Sequence, residues 1–139
     1  NPIIEAGRVE ILLKFADYDP RIRVDKGGLS LVLKNIIVNG VESMAGKGGV
    51  LCITTEVGGN YFYIMLEDSG PGIKGKHQEL VFEPFFSTKP AVEGAGLGLS
   101  VAFATMKRLG GSITFESKEG EGTLFTVHVP LSLHNQKTA

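Results

Sequence analysis

The chain has 139 residues, 42% of them hydrophobic and 21% charged, with a formal net charge of -1. These values fit one globular domain with a real core, leave no room for a second, and remove the general electrostatic case for nucleic acid, which asks for a basic excess. Cys52 is the one cysteine, so an internal disulfide framework or a cysteine metal site is excluded, and no apolar run approaches the roughly 18 residues of a membrane helix. Without a signal-like amino terminus either, the expectation is a cytoplasmic domain that makes no membrane contact itself, which is compatible with an anchor elsewhere in a full-length protein. The start at Asn1-Pro2 reads as a piece of a longer chain.

Taken in chain order, Val9–Phe15 and Arg21–Val24 read as short strands joined by the turn-forming Asp17-Tyr18-Asp19-Pro20. Asp25 stands where a helix N-cap would, and Leu29, Val32, Leu33, Ile36, Gly40 and Met44 follow at helical spacing up to the stop Gly46-Lys47-Gly48-Gly49. Val50–Val57 and Tyr61–Glu67 form a hairpin around Gly58-Gly59-Asn60, so the sheet is at least partly antiparallel. From Asp68 to Gly96 the pattern breaks into glycines, prolines and polar residues, a connection long enough to be functional. A second helix is expected over Ser100–Leu109. Strands Ser112–Ser117 and Thr123–Val129 follow around Gly120-Glu121-Gly122, with Ile113, Phe115, Phe125, Val127 and Val129 on the core face. The domain is expected to span residues 1–133, with 134–139 a frayed tail.

Three segments carry chemistry. Gly94, Gly96 and Gly98 fall at alternate positions ahead of the second helix, which suits a backbone closing over a polyphosphate at a helix N-terminus, although glycines at such spacing also serve ordinary turns. On the first helix Asn35, Asn39 and Glu42 share one edge opposite the apolar stripe. Carboxamide oxygens suit a hard cation such as magnesium; the competing reading is a solvated helix face, for which two asparagines are poor choices. Asp68-Ser69-Gly70-Pro71-Gly72 ends a strand with a carboxylate able to accept from the exocyclic amine of adenine, or simply opens a turn before a proline.

The order of these segments is specific. Asn35-Ile36-Ile37-Val38-Asn39 resembles the asparagine box of the sensor histidine kinase ATP-binding domain, Asp68–Gly72 its first glycine box, Phe82-Glu83-Pro84-Phe85-Phe86 its phenylalanine box, Gly94–Leu99 its second glycine box and Gly122-Thr123 its last glycine-threonine pair. All five occur in family order between Asp25 and Pro130. The resemblance implies the Bergerat ATP-binding fold of DNA gyrase, the mismatch-repair ATPases and the heat-shock chaperone. That fold is α+β, a two-layer sandwich in which a mixed, mostly antiparallel sheet of about five strands packs on about three helices. It also implies ATP and Mg2+ as ligands, with Asn39 on the metal and Asn35 supporting metal or phosphates. Asp68 would read the adenine amine, Gly72 would give the base room, and Thr123 would back the aspartate. Gly94, Gly96 and Gly98 would wrap the phosphates under a lid from Ile73 to Ala95, anchored by Phe82, Phe85 and Phe86. The nucleotide-contacting set extends to Gly70 and Ile73, to Phe86, Ser87 and Thr88, and to Ala95, Leu97 and Leu99. Phe85-Phe86-Ser87-Thr88-Lys89 is similar to the nitrogen-regulation subgroup, in which Lys89 would reach the γ-phosphate and join Asn35 and Asn39 as a catalytic group.

ATP-hydrolysing members of the superfamily resemble one another in a glutamate four residues before the magnesium asparagine. Asn35 occupies that place here, and a carboxamide cannot act as a general base. Transfer to a histidine on a separate dimerisation domain is therefore the implied reaction, with a response regulator downstream. None of His77, His128 and His134 is followed by an acidic residue as the acceptor would be. The isolated domain is expected to be monomeric, with little ATP turnover. Gly40, where the family often has alanine, and Ser43 are the small departures. A serine protein kinase of the same superfamily, or an ATP-binding scaffold without phosphotransfer, are the competing readings.

Overall fold

The computed structural model describes residues 9–15, 25–82 and 98–131. Alternation of inward and outward residues organises its strands: β1 (Val9–Lys14), β2 (Gly49–Gly58), β3 (Tyr61–Asp68), β4 (Ser112–Lys118) and β5 (Gly122–Pro130). They form one sheet in the order β1-β2-β3-β5-β4. β1 runs parallel to β2 and every other pairing is antiparallel, so the sheet is mixed and mostly antiparallel, as expected. The β2–β3 hairpin closes through the two-residue loop Gly59-Asn60, with Gly59 at φ 57°.

Two helices cover one face of this sheet. α1 (Lys26–Ser43) begins at Asp25, whose carboxylate accepts from the Gly28 N–H at 3.1 Å, the side-chain cap expected of an aspartate there. Its buried positions Gly28, Val32, Ile36 and Gly40 repeat every fourth residue and face the sheet. α2 (Gly98–Arg108) is the expected second helix and buries Ala102, Thr105 and Met106. The helices are antiparallel: Arg108 at the end of α2 reaches Asp25 at the start of α1 (3.7 Å), while Asn35 reaches Gly98 at the start of α2. The Asp25–Arg108 pair is exposed and adds little stability.

Inward residues of adjacent strands line up in rows across the sheet. Ile53, Leu66, Phe125 and Phe115 make one row and Leu51, Asp68, Thr123 and Ser117 the next. The first row is apolar and, with Val32, Ile36, Met106 and Val127, forms the core; each fully buried Leu, Ile or Phe contributes about 1.5–3 kcal/mol of transfer free energy. The second row turns polar at the sheet's end, still on the helix side.

Between β3 and α2 a 3-10 helix spans Gly75–Leu80, closed by i→i+3 bonds such as His77 N–H to Lys74 C=O (2.8 Å). The expectation of about three helices is thus corrected to two α-helices and this 3-10 turn among the described residues. The predicted strand at 21–24 and the tail at 134–139 lie outside the described residues. No helix among the described residues is long and apolar enough to cross a membrane.

Candidate functional site

Strand periodicity places Asp68. It has the parity of Ile64 and Leu66, so it points to the helix face, and only 5% of it is exposed. Among the described residues it is the only buried ionisable group. Burial pushes its carboxyl above the usual carboxylate range; the backbone amides of Gly70 and Thr123 pull it back down, and neighbouring Glu67 raises it slightly. The Gly70 N–H donates to Oδ1 at 2.9 Å. Gly40 of α1 lies beneath the other oxygen: a Cβ there would come within 3.7 Å of Oδ2 and 3.4 Å of Leu51. The missing side chain leaves that side of the carboxylate uncrowded.

The glycines around Asp68 have structural duties. Gly72 sits at φ 74°, where a Cβ would run into the Lys118 carbonyl. Gly122 sits at φ 109°, where a Cβ would run into the carbonyl of Asp68 itself. The β4–β5 turn is also tied to the first glycine box by the Gly120 N–H, which donates to Pro71 C=O at 2.6 Å. Packing of Gly72 against β4 therefore accounts for that glycine before any base is considered.

Thr123 pairs with Asp68 in register and backs it through the main chain, as its hydroxyl lies 2.8 Å from Ser117 Oγ. Ser117 belongs to none of the motifs, yet its Oγ also accepts from the Ile73 N–H (2.7 Å) and donates to Gly122 C=O (3.1 Å). Gln78 Nε2 adds bonds to Ile73 C=O and Ser117 C=O, both 3.1 Å. Residues 73–82 are thereby fixed to the sheet, and Phe82 stacks on Phe103 (4.6 Å between centroids) with its edge contacts on Phe115 and Phe125. Of the segment 73–95 expected as a lid, residues 73–82 are anchored to the body, Phe82 among the anchors, and 83–95 lie outside the described residues.

On α1, Asn35 and Asn39 are half-buried on the edge turned toward α2, and Glu42 is exposed. Asn35 Nδ2 donates to the Gly98 carbonyl at 3.1 Å, which positions the first turn of α2. Gly98 and Leu99 stand together in the first described turn of α2. Phe86, Ser87, Thr88, Lys89, Gly94, Ala95, Gly96 and Leu97, together with Phe85, lie outside the described residues.

Chemically, the site offers a buried acceptor at one end and carboxamides beside a helix N-terminus at the other. The donor set fits a nucleotide with a hard cation: Asp68 retains acceptor capacity beyond its Gly70 bond, and Asn39 offers a neutral oxygen. No cluster of three or more His, Cys, Asp or Glu able to hold a metal occurs among the described residues, so a cation here would take its other ligands from phosphate and water. His128 is on the opposite face of the sheet, 2.9 Å from Thr114 Oγ1 and edge-on to Tyr61 and Tyr63. Burial pushes its imidazole below the usual histidine range.

Comparison with known proteins agrees with this geometry. The sensor histidine kinase ZraS of Escherichia coli (strain K12) is 36% identical over 131 residues, covering 93% of this chain and 28% of ZraS. Sporulation kinase C of Bacillus subtilis (strain 168) is 37% identical over 110 residues, 79% of this chain and 25% of the kinase. The chain therefore spans about a quarter of the length of these relatives. Among solved structures, the nucleotide-free catalytic domain of the histidine kinase ThkA superposes with a TM-score of 0.76 at 30% identity, over 88% of this chain and 79% of that one. Full-length ShkA in complex with AMPPNP gives 0.80 at 27% identity, over 93% of this chain and 27% of that one. Residues 24–133 match the family described as histidine kinase-, DNA gyrase B-, and HSP90-like ATPase, and the chain belongs to that family.

Proposed function

We propose that this chain is the ATP-binding catalytic domain of a two-component sensor histidine kinase, which presents the γ-phosphoryl group of Mg-ATP to a histidine on a separate dimerisation domain. The observation that carries the reading is Asp68, a carboxylate held buried in the polar row that ends the apolar face, with an uncrowded oxygen over Gly40. A desolvated carboxylate is costly, and an exocyclic amine donor is the partner that repays it. AMPPNP, an ATP analogue, is the ligand named for the similar ShkA structure.

In this reading Asp68 accepts from the adenine N6 amine, and the anchored 73–82 segment walls the base from solvent. At the other end Asn39 would supply an oxygen to magnesium, which when bound would offset phosphate charge. The first described turn of α2, positioned by Asn35, turns the positive end of the helix toward the phosphates. Gly94, Gly96 and Lys89 complete that end, Lys89 offsetting charge as transfer proceeds. The acceptor imidazole forms the N–P bond as the bond from the γ-phosphorus to the bridging oxygen breaks, and ADP leaves with the electron pair. The chain's own His128 cannot be that acceptor, since the sheet separates it from the cleft. Asn35 in place of a water-activating glutamate favours transfer over hydrolysis. The downstream partner in this scheme is a response regulator, and the domain works in the cytoplasm as a monomer until joined to its dimerising hairpin.

Mixing the domain with the phosphoacceptor region of its full-length protein and γ-labelled ATP tests the reading. An acid-labile, base-stable label is expected. An acid-stable label would instead indicate a serine kinase, and bound ATP with no transfer a scaffold. Rapid hydrolysis by the domain alone, lost in Glu42→Gln, would overturn the roles given to Asn35 and Asn39.

A further inference from the structure

We infer that Ser117 is a positioning residue that couples occupation of the adenine site to the root of the 73–82 segment; the inference rests on the nucleotide reading above. A serine hydroxyl has one proton to give and two lone pairs to offer. Here all three are used. The proton goes to the Gly122 carbonyl, which can only accept, at 3.1 Å. One lone pair takes the Ile73 N–H at 2.7 Å. The 2.8 Å contact with Thr123 Oγ1 must then have the threonine as donor. The Thr123 proton is thereby committed away from Asp68, and only its backbone amide addresses the carboxylate.

The consequence is a continuous chain of bonded groups from Asp68 through Thr123 and Ser117 to Ile73, the first residue of the anchored 73–82 segment. Asp68, Thr123 and Ser117 lie side by side in one row of the sheet, so the path crosses two neighbouring strands without a gap. A base engaged on Asp68 restrains the Thr123 main chain, and Ser117 passes the restraint to Ile73 because it has no spare bonding capacity with which to yield. Gln78 bridges Ile73 and Ser117 through their carbonyls and holds the same root, but it has no bond to Thr123. Adenosine, which lacks phosphates, should therefore order this root by itself.

Amide hydrogen exchange of the 139-residue chain, with and without saturating adenosine, reads the coupling. In the wild type, adenosine is expected to slow exchange over residues 73–80 by about fivefold or more; in Ser117→Ala the slowing falls below about twofold while adenosine still binds, and Ser117→Thr, which keeps the hydroxyl, restores it. Gln78→Ala is expected to speed basal exchange of the segment yet keep the adenosine response. Should Ser117→Ala not fold, Ser117→Cys keeps the size and loses the strong hydrogen bonds, and carries the same readout. A folded Ala or Cys variant with the full adenosine response would reduce Ser117 to a structural residue and overturn the proposal. Adenosine binding to the wild type without any slowing would overturn the coupling and leave the nucleotide reading standing. Failure of the wild type to bind either adenosine or ATP would overturn both.

Discussion

The two ends of the cleft are built differently. The base end is made of sheet: Asp68, Thr123 and Ser117 occupy one cross-strand row, and Gly72 and Gly122 bring the first glycine box and the β4–β5 turn into backbone contact. The phosphate end is made of helix instead: Asn35 on α1 donates to the Gly98 carbonyl at the described start of α2. Position at the base end is over-determined by main-chain contacts, whereas the described contact at the phosphate end runs through a side chain. Rigid groups at the base end suit a site that selects its base by fixed geometry.

Substitutions break this contrast at different points. Gly122→Ala is the harshest, because it adds a Cβ at a positive φ against a main-chain carbonyl; a loss of several kcal/mol, about 3 or more, is expected, with the cooperative thermal transition weakened or lost in calorimetry. Asn35→Ala acts only at the other end. It should weaken ATP binding by about tenfold, leave adenosine affinity unchanged, and leave the melting temperature within a few degrees. Part of that loss should persist without magnesium, since the bond to Gly98 involves no metal; a loss seen only with magnesium would make Asn35 a metal ligand alone.

Asp68→Asn sharpens the cost of the rigid end. Because burial raises the carboxyl above its ordinary value of 3.8, the folded state holds the proton longer than the unfolded chain, and stability falls as pH rises from there through the folded pKa. The asparagine variant has no such cost. Its melting temperature should therefore rise relative to the wild type as pH goes from about 4 to neutral, and the two should converge at lower pH. Gly40→Ala is the mildest change. The new methyl meets Leu51 and Asp68 at ordinary contact distance, and the helix gains up to about 1 kcal/mol from replacing an interior glycine, a small upward shift in melting temperature.

Much of this architecture is legible in the sequence because periodicity does the placing. The stripe from Leu29 to Met44, the turn at Gly58-Gly59-Asn60 and the alternation from Ile113 to Val129 each specify their element without help from distant residues, and the structure shortens that turn by pairing Gly58 with Tyr61. Asp68 was readable for the same reason: it continues the inward parity of Ile64 and Leu66. What escapes is tertiary. The 3-10 helix is too short for a period and is held by Gln78 reaching across to β4. The bond from Asn35 to Gly98 joins residues 63 positions apart, and nothing local announces it. The reason for Gly72 lies in the Lys118 carbonyl rather than in its neighbours. Ser117 did leave a trace, a hydroxyl at the third inward position after Ile113 and Phe115, but its meaning depends on the register with Thr123.

The central claim is that Asp68 reads adenine at a preformed base site, and titration calorimetry of the 139-residue chain with Mg-ATP and Mg-GTP tests it directly. The wild type should bind ATP in the micromolar range and GTP at least about tenfold more weakly, because the guanine O6 acceptor would face the carboxylate; Asp68→Asn should lose about 10- to 100-fold of the ATP affinity while staying folded. Equal affinity for the two nucleotides, or ATP binding unchanged in a folded Asp68→Asn, would contradict the account.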